Sequence, residues 1–127
     1  MNAKRISKEI RHQDLVELVE NELLFRGYDP VHIELNTDYN VGGTCGEIDL
    51  YAFKTSDMNL LLFEMKCSNS PRTTKKATEQ LKRAVNTYVK QYMPHRKVYA
   101  LMAYYDDNSI DGWDCKWIKN IGGKHNG

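Results

Sequence analysis

Two apolar segments, each interrupted by charge, constrain this chain more than anything else in it. Gly46-Glu47-Ile48-Asp49-Leu50-Tyr51-Ala52 is followed by Leu61-Leu62-Phe63-Glu64-Met65-Lys66-Cys67. Alternate side chains of an extended strand share a face, so Glu47 and Asp49 point one way, as do Glu64 and Lys66, with Met65 and Cys67 on the reverse. A hairpin through Lys54 to Asn59 brings the two strands into register and lets Asp49 meet Glu64. Leu60 through Phe63 would otherwise read as a buried central strand, and charge in such a place needs partners. Two crowded carboxylates repel each other. A hard, oxygen-seeking cation such as Mg2+ relieves that repulsion, keeps positions free for water and a phosphate, and can activate the water. The plainer alternative is a solvated strand face, with Asp49 ending a strand at a turn.

The rest of the chain supplies a frame for this hairpin. Residues 15, 16, 18, 19, 23 and 24 are apolar at helical spacing, which predicts a first helix from Asp14 to Phe25, stopped by Gly27. Val31 to Leu35 reads as a strand after Pro30, and Asn36 to Gly46 as a polar, glycine-containing loop free to approach a substrate. Ser68 to Pro71 breaks the third strand. Thr73 or Thr74 then caps a helix whose buried stripe is Ala77, Leu81, Ala84, Val85, Tyr88, Val89 and Tyr92, ending at Pro94. Val98 to Tyr105 is a further strand, Asp106 to Gly112 an acidic turn, and Trp113 to Ile121 either an edge strand completing the core or an exposed aromatic surface. This order predicts an α/β domain with a mixed central sheet flanked by helices, a single unit over residues 1–121, and a disordered tail over 122–127.

The spacing of Asp49 with Glu64-Met65-Lys66 resembles the PD-(D/E)XK nuclease superfamily, in which an acid ends one strand and (D/E)-X-K lies on the next. The helix ending in Arg26-Gly27-Tyr28 and the basic helix containing Gln80-Leu81-Lys82-Arg83 extend the likeness over roughly residues 9–105, in an order similar to the archaeal Holliday-junction resolvases. The resemblance implies a restriction-endonuclease-like core and Mg2+ or Mn2+ as cofactor. It implies metal ligation by Asp49, Glu64 and the backbone carbonyl of Met65, and catalysis by Lys66. A glutamate on the first helix often joins the metal in such nucleases; Glu17 or Glu20 would correspond, although neither has the expected spacing to Gly27. Glu47 is an auxiliary acid by its strand parity. Gln80 matches a glutamine that reaches toward the site in resolvase-like and RecB-like nucleases, but the tyrosine of a QxxxY motif is replaced by Ala84.

Charge is partitioned along the chain although the net value is only +1. Residues 14–64 carry eleven acids and two bases, whereas 66–97 carry nine bases and the single acid Glu79. Clustered bases beside clustered carboxylates suit a protein that grips phosphates next to a cation, with Arg72, Lys75, Lys76, Lys82 and Arg83 holding the phosphates. They also suit an ordinary solvated helix. Tyr39, Tyr104, Tyr105, Trp113 and Trp117 are candidate base-stacking or core aromatics. Three cysteines without CxxC or Cys/His spacing argue against a disulfide framework and a structural zinc. The four histidines are dispersed, and GxSxG and P-loop patterns are lacking, which disfavours serine hydrolases and P-loop nucleotide enzymes.

No apolar run approaches membrane-spanning length and residues 1–11 are polar, so the expectation is an intracellular, cytoplasmic protein without a membrane partner. The expected activity is metal-dependent hydrolysis of DNA phosphodiesters, on branched or duplex DNA. Lys66, beside two carboxylates, orients water and offsets charge rather than serving as a base. Symmetric cutting of a junction needs two sites, which predicts a homodimer, with Trp113, Trp117 and Ile118 as its candidate surface. The alternative is a non-catalytic nucleic-acid-binding or protein-interaction module on the same fold.

Overall fold

The computed structural model describes the backbone of residues 3–119 and 121, with side chains from residue 11 onward. The tail 122–127 lies outside the described residues. Helix α1 (Ala3–Phe25) begins well before the expected Asp14, in line with a leading segment that contains neither Gly nor Pro. Its Leu15, Val16, Val19 and Leu23 are buried. The helix stops in a Schellman turn: Gly27 takes φ +93° and the Tyr28 N–H donates to the Leu23 carbonyl at 3.0 Å. One 3-10 turn (Pro30–His32), capped by Asp29, then leads into the sheet.

The sheet has five strands in sequential order: β1 (Ile33–Val41), β2 (Thr44–Phe53), β3 (Asn59–Lys66), β4 (Lys97–Tyr105) and β5 (Trp113–Trp117). β1, β2 and β3 form an antiparallel meander, β4 runs parallel to β3, and β5 returns antiparallel on the edge. The parallel pair requires a crossover, supplied by helix α2 (Pro71–Ala84), which continues through a π turn (Val85–Val89) and a last α turn (Lys90–Tyr92). The molecule is thus an α/β domain with a mixed open sheet and a helix on either face. α1 packs on Leu50, Ala52, Phe63, Met65, Leu101 and Ala103; α2 packs on Tyr51, Leu60, Leu62, Val98 and Ala100.

Four sequence expectations are corrected. Asn36 to Gly46 is a β-hairpin rather than a loop: Gly42 and Gly43, at φ +57° and +89°, form a two-residue turn that joins Val41 to Thr44. Its polar residues resemble a loop because this hairpin is an outer arm with one face in water. The cap of α2 is Ser70, whose hydroxyl accepts the Thr73 N–H at 3.1 Å, not Thr73 or Thr74, and Pro71 fills the first helical position. Tyr92 is 58 % exposed rather than buried, because the π turn adds a residue to one turn and rotates the helix end away from the sheet. Lastly, α1 is longer than its apolar pattern.

The arm formed by β1 and β2 changes face at one rung. Ile33 and Leu35 pack on the α1 side, yet Tyr39 and Val41, of the same parity, pack on the α2 side; on β2, Leu50 and Ala52 lie toward α1 and Ile48 toward α2. The switch sits at Asn36, which has φ +50°, and the pairing of Asn36 with Asp49 is the rung missing from an otherwise unbroken register. Beyond the switch the Tyr39 ring lies over Gly46, where an added Cβ would come within 2.3 Å of the Tyr39 hydroxyl. Gly46→Ala is therefore expected to cost about 1–3 kcal/mol by overpacking, measured by urea denaturation. Most of the loss should disappear in the Gly46→Ala/Tyr39→Leu background if the tyrosine ring is the cause.

Candidate active site

The departure of the arm from the sheet opens a cleft of about 400 Å3 at the end of β2 and β3. Leu50 pairs with Phe63, and one step further along that register Asp49 comes opposite Glu64. The hairpin expected through residues 54–59 therefore forms in the expected register. Where a continued ladder would present a backbone carbonyl, Asp49 presents its carboxylate: Oδ2 accepts the Met65 N–H at 2.8 Å. Both acids are deeply buried, each 5 % exposed. The Lys66 ammonium stands 3.5 Å from Glu64 Oε2, on the face shared by the two residues. Arg96 steadies the other end of the hairpin, donating to the carbonyls of Lys54 and Asp57 with its guanidinium over the Phe53 ring.

The electrostatics follow from burial and crowding. Glu64 is pushed up to about 8, first by burial and then by Asp49, against the lowering effect of Lys66. At neutral pH, without a further cation, it holds a proton. Glu47, at the cleft rim, is also raised, by burial and by Asp49 and Asp38. His12 Nε2 lies 3.4 Å from Asp49 Oδ2, and that interaction raises the imidazole above its usual value despite partial burial.

The cleft brings together most of the residues singled out by sequence: Glu47, Asp49, Glu64, Met65, Lys66, Lys76 and Gln80 all line it. Gln80 Oε1 is buried with no hydrogen-bond partner among the described residues. Neither helix-1 glutamate is there. Glu17 is exposed and Glu20 half-buried, whereas His12, also part of the lining, occupies the corresponding place. One helical turn before Leu15 and Val16, His12 continues the buried stripe of α1, a signal present in the sequence although the four histidines are far apart along it. Thr73, tied to the Ser70 cap, and Ser68 complete the mouth. Arg72, Lys75, Lys82 and Arg83 lie on the exposed surface of α2. Among the candidate stacking aromatics, Tyr39 and Tyr104 are buried, Tyr105 donates its hydroxyl to the Arg11 carbonyl, and Trp117 is open to solvent.

The donor set is hard: two carboxylates, a backbone carbonyl on β3 and the unpartnered Gln80 oxygen. Among the described residues no group of three or more His, Cys, Asp or Glu side chains is gathered as a metal cage. Mg2+ commonly takes one or two carboxylates and completes its shell with water and substrate phosphate. The orphaned acceptor at Gln80 and the burial that raises Glu64 beside Asp49 both call for a positive or hydrogen-donating neighbour. The residues fit such an ion. The three cysteines are free thiols, and no helix is long and apolar enough to cross a membrane among the described residues. Comparison of the chain with protein-family models, curated proteins and solved structures returned no match.

Proposed function

We propose that this chain is a metal-dependent endonuclease of the PD-(D/E)XK type, with a restriction-endonuclease-like core, that hydrolyses DNA phosphodiester bonds. The observation that carries the reading is the buried pair Asp49 and Glu64 at the mouth of one cleft, with Lys66 at 3.5 Å from Glu64. The order of elements supports it: helix, antiparallel meander, crossover helix, parallel strand. Buried acids that serve only folding are costly, and their concentration beside a lysine and an unpartnered amide oxygen marks a working site.

Asp49, Glu64 and the Met65 carbonyl would hold Mg2+ or Mn2+, which when bound would supply a Lewis acid for the phosphoryl oxygen and acidify a water. His12 donates to Asp49 and fixes its rotamer. Lys66 offsets charge on the phosphate as its oxygens become more negative, and positions the attacking water. The Gln80 oxygen accepts a hydrogen bond from that water and so orients its lone pair toward the phosphorus. Lys76, at the rim, binds a flanking phosphate, and Arg72, Lys75, Lys82 and Arg83 continue the basic surface along α2.

The non-catalytic reading, a nucleic-acid-binding or protein-interaction module on the same fold, predicts binding without cleavage. A cleavage panel separates the two: duplex, single strand, flap, four-way junction and RNA, each with Mg2+, Mn2+ or EDTA. Cation-dependent cutting of a DNA substrate is the expected result, with preference for the junction if the site works as a resolvase. Binding without cutting under every cation overturns the enzyme reading. Charge reversal at Lys75, Lys76, Lys82 and Arg83 together should lower DNA affinity and reduce the salt slope of log K by roughly 0.9 for each phosphate no longer neutralised. An unchanged slope across a salt titration assigns these side chains to surface solvation alone.

A further inference from the structure

Among the described residues β5 is an edge strand of the sheet with no partner on its outer side, and its residues repeat in class from either end: Trp113, Asp114, Cys115, Lys116, Trp117. The Ile118 N–H donates to the Ala100 carbonyl at 2.9 Å and the Asp106 N–H to the Gly112 carbonyl at 3.0 Å. In an antiparallel ladder this turns the backbone groups of residues 114 and 116 toward β4 and those of 113, 115 and 117 outward. Among the described residues the outward groups meet only local side chains. Asp114 Oδ1 accepts the Cys115 N–H at 2.8 Å, and the Ser109 hydroxyl donates to the Trp113 carbonyl at 2.7 Å.

We propose that β5 pairs antiparallel with β5 of a second copy of this chain, about a two-fold axis passing at Cys115. This register sets Asp114 opposite the partner's Lys116 and Lys116 opposite the partner's Asp114, on the α2 side of the joined sheet. Parallel pairing in register would set like on like. The Lys116 ammonium has three protons and donates to Asn69 Oδ1 and Thr74 Oγ1, which leaves one for the partner's carboxylate. On the other face Trp117, 58 % exposed and edge-on to Tyr99, meets the partner's Trp113. The Cys115 N–H and Trp113 carbonyl exchange their local side-chain partners for backbone partners across the axis. Edge-to-edge pairing about such an axis puts both clefts on the same side of one continuous sheet. The inference stands on β5 and is independent of the nuclease reading.

Sedimentation of the full chain over a concentration series tests it. The wild type should dimerise, and Asp114→Lys or Lys116→Asp should each weaken the dimer about 10- to 100-fold, since each change places like charges opposite twice. The double variant Asp114→Lys/Lys116→Asp restores opposite charges and should restore the dimer. Because Lys116 also ties β5 to α2, a second measurement is made with it intact. With Cys45 and Cys67 changed to Ser, a short bismaleimide should link Cys115 to the partner's Cys115, about 5.5 Å away between Cα atoms, and should fail to do so in Asp114→Lys. A monomeric wild type, a dimer indifferent to both single reversals, or a folded double swap that stays monomeric overturns the proposal.

Discussion

Lys66→Ala is expected to lower Mg2+-dependent DNA cleavage about 100-fold or more, with Asp49→Asn and Glu64→Gln falling at least as far, while the far-ultraviolet circular dichroism stays native. The magnitude is that of removing one preorganised group aimed at developing charge. The substitutions are mild for the local fold. Asparagine at 49 still offers an oxygen to the Met65 N–H, and glutamine at 64 removes a buried acid that holds a proton at neutral pH. Loss of Lys66 removes a side chain that is 21 % exposed and whose ammonium supports no backbone group among the described residues. Single-turnover rates at saturating protein separate chemistry from affinity. Retention of the full rate in Lys66→Ala would rule out the assigned mechanism. A more modest fall in Gln80→Ala, with unchanged DNA affinity, is the expected counterpart for a residue that orients water.

The metal-free protein should become less stable as pH rises, and divalent cation should reverse the loss. Glu64 has a folded value of about 8, above its ordinary 4.5. The folded state therefore binds more protons than the unfolded chain between those values. The stability from this group is fully present below about 4.5 and is lost progressively as pH rises through about 8, after which the dependence flattens. At about 1.4 kcal/mol per unit the whole effect is at most about 5 kcal/mol. The raised His12 contributes with the same sign at pH above 6.5. Urea denaturation in EDTA at pH 5 and pH 9 reads the difference, and Glu64→Gln should remove most of it. Added Ca2+ should stabilise the wild type more at pH 9 than at pH 5, since a cation that binds only the folded state adds stability by mass action and the ionised Glu64 binds it better. An identical pH profile in Glu64→Gln would show that this carboxyl is not the one governing stability.

The residues 46–67 determined much of this protein by themselves. Strand parity, a short polar turn and the apolar runs on either side allowed one hairpin register, and that register sets Asp49 against Glu64 with Lys66 on the shared face. The basic helix was legible from its stripe and from Pro94, and a mixed sheet from the order of helix and strands, whereas the parallel direction of β4 against β3 emerges only in the fold. Other features depend on distant residues meeting, and local pattern cannot encode them. A polar arm with one face in water looks like a loop until Tyr39, Val41 and Ile48 find α2. The left-handed Asn36 turns the arm from one face of the sheet to the other beside Asp49, a rotation that leaves no mark on hydrophobic periodicity. The choice of His12 over Glu17 and Glu20 was likewise made by packing, because the rotation of α1 is set by Leu15, Val16, Val19 and Leu23 against the sheet, and only the residue one turn ahead of that stripe then faces Asp49.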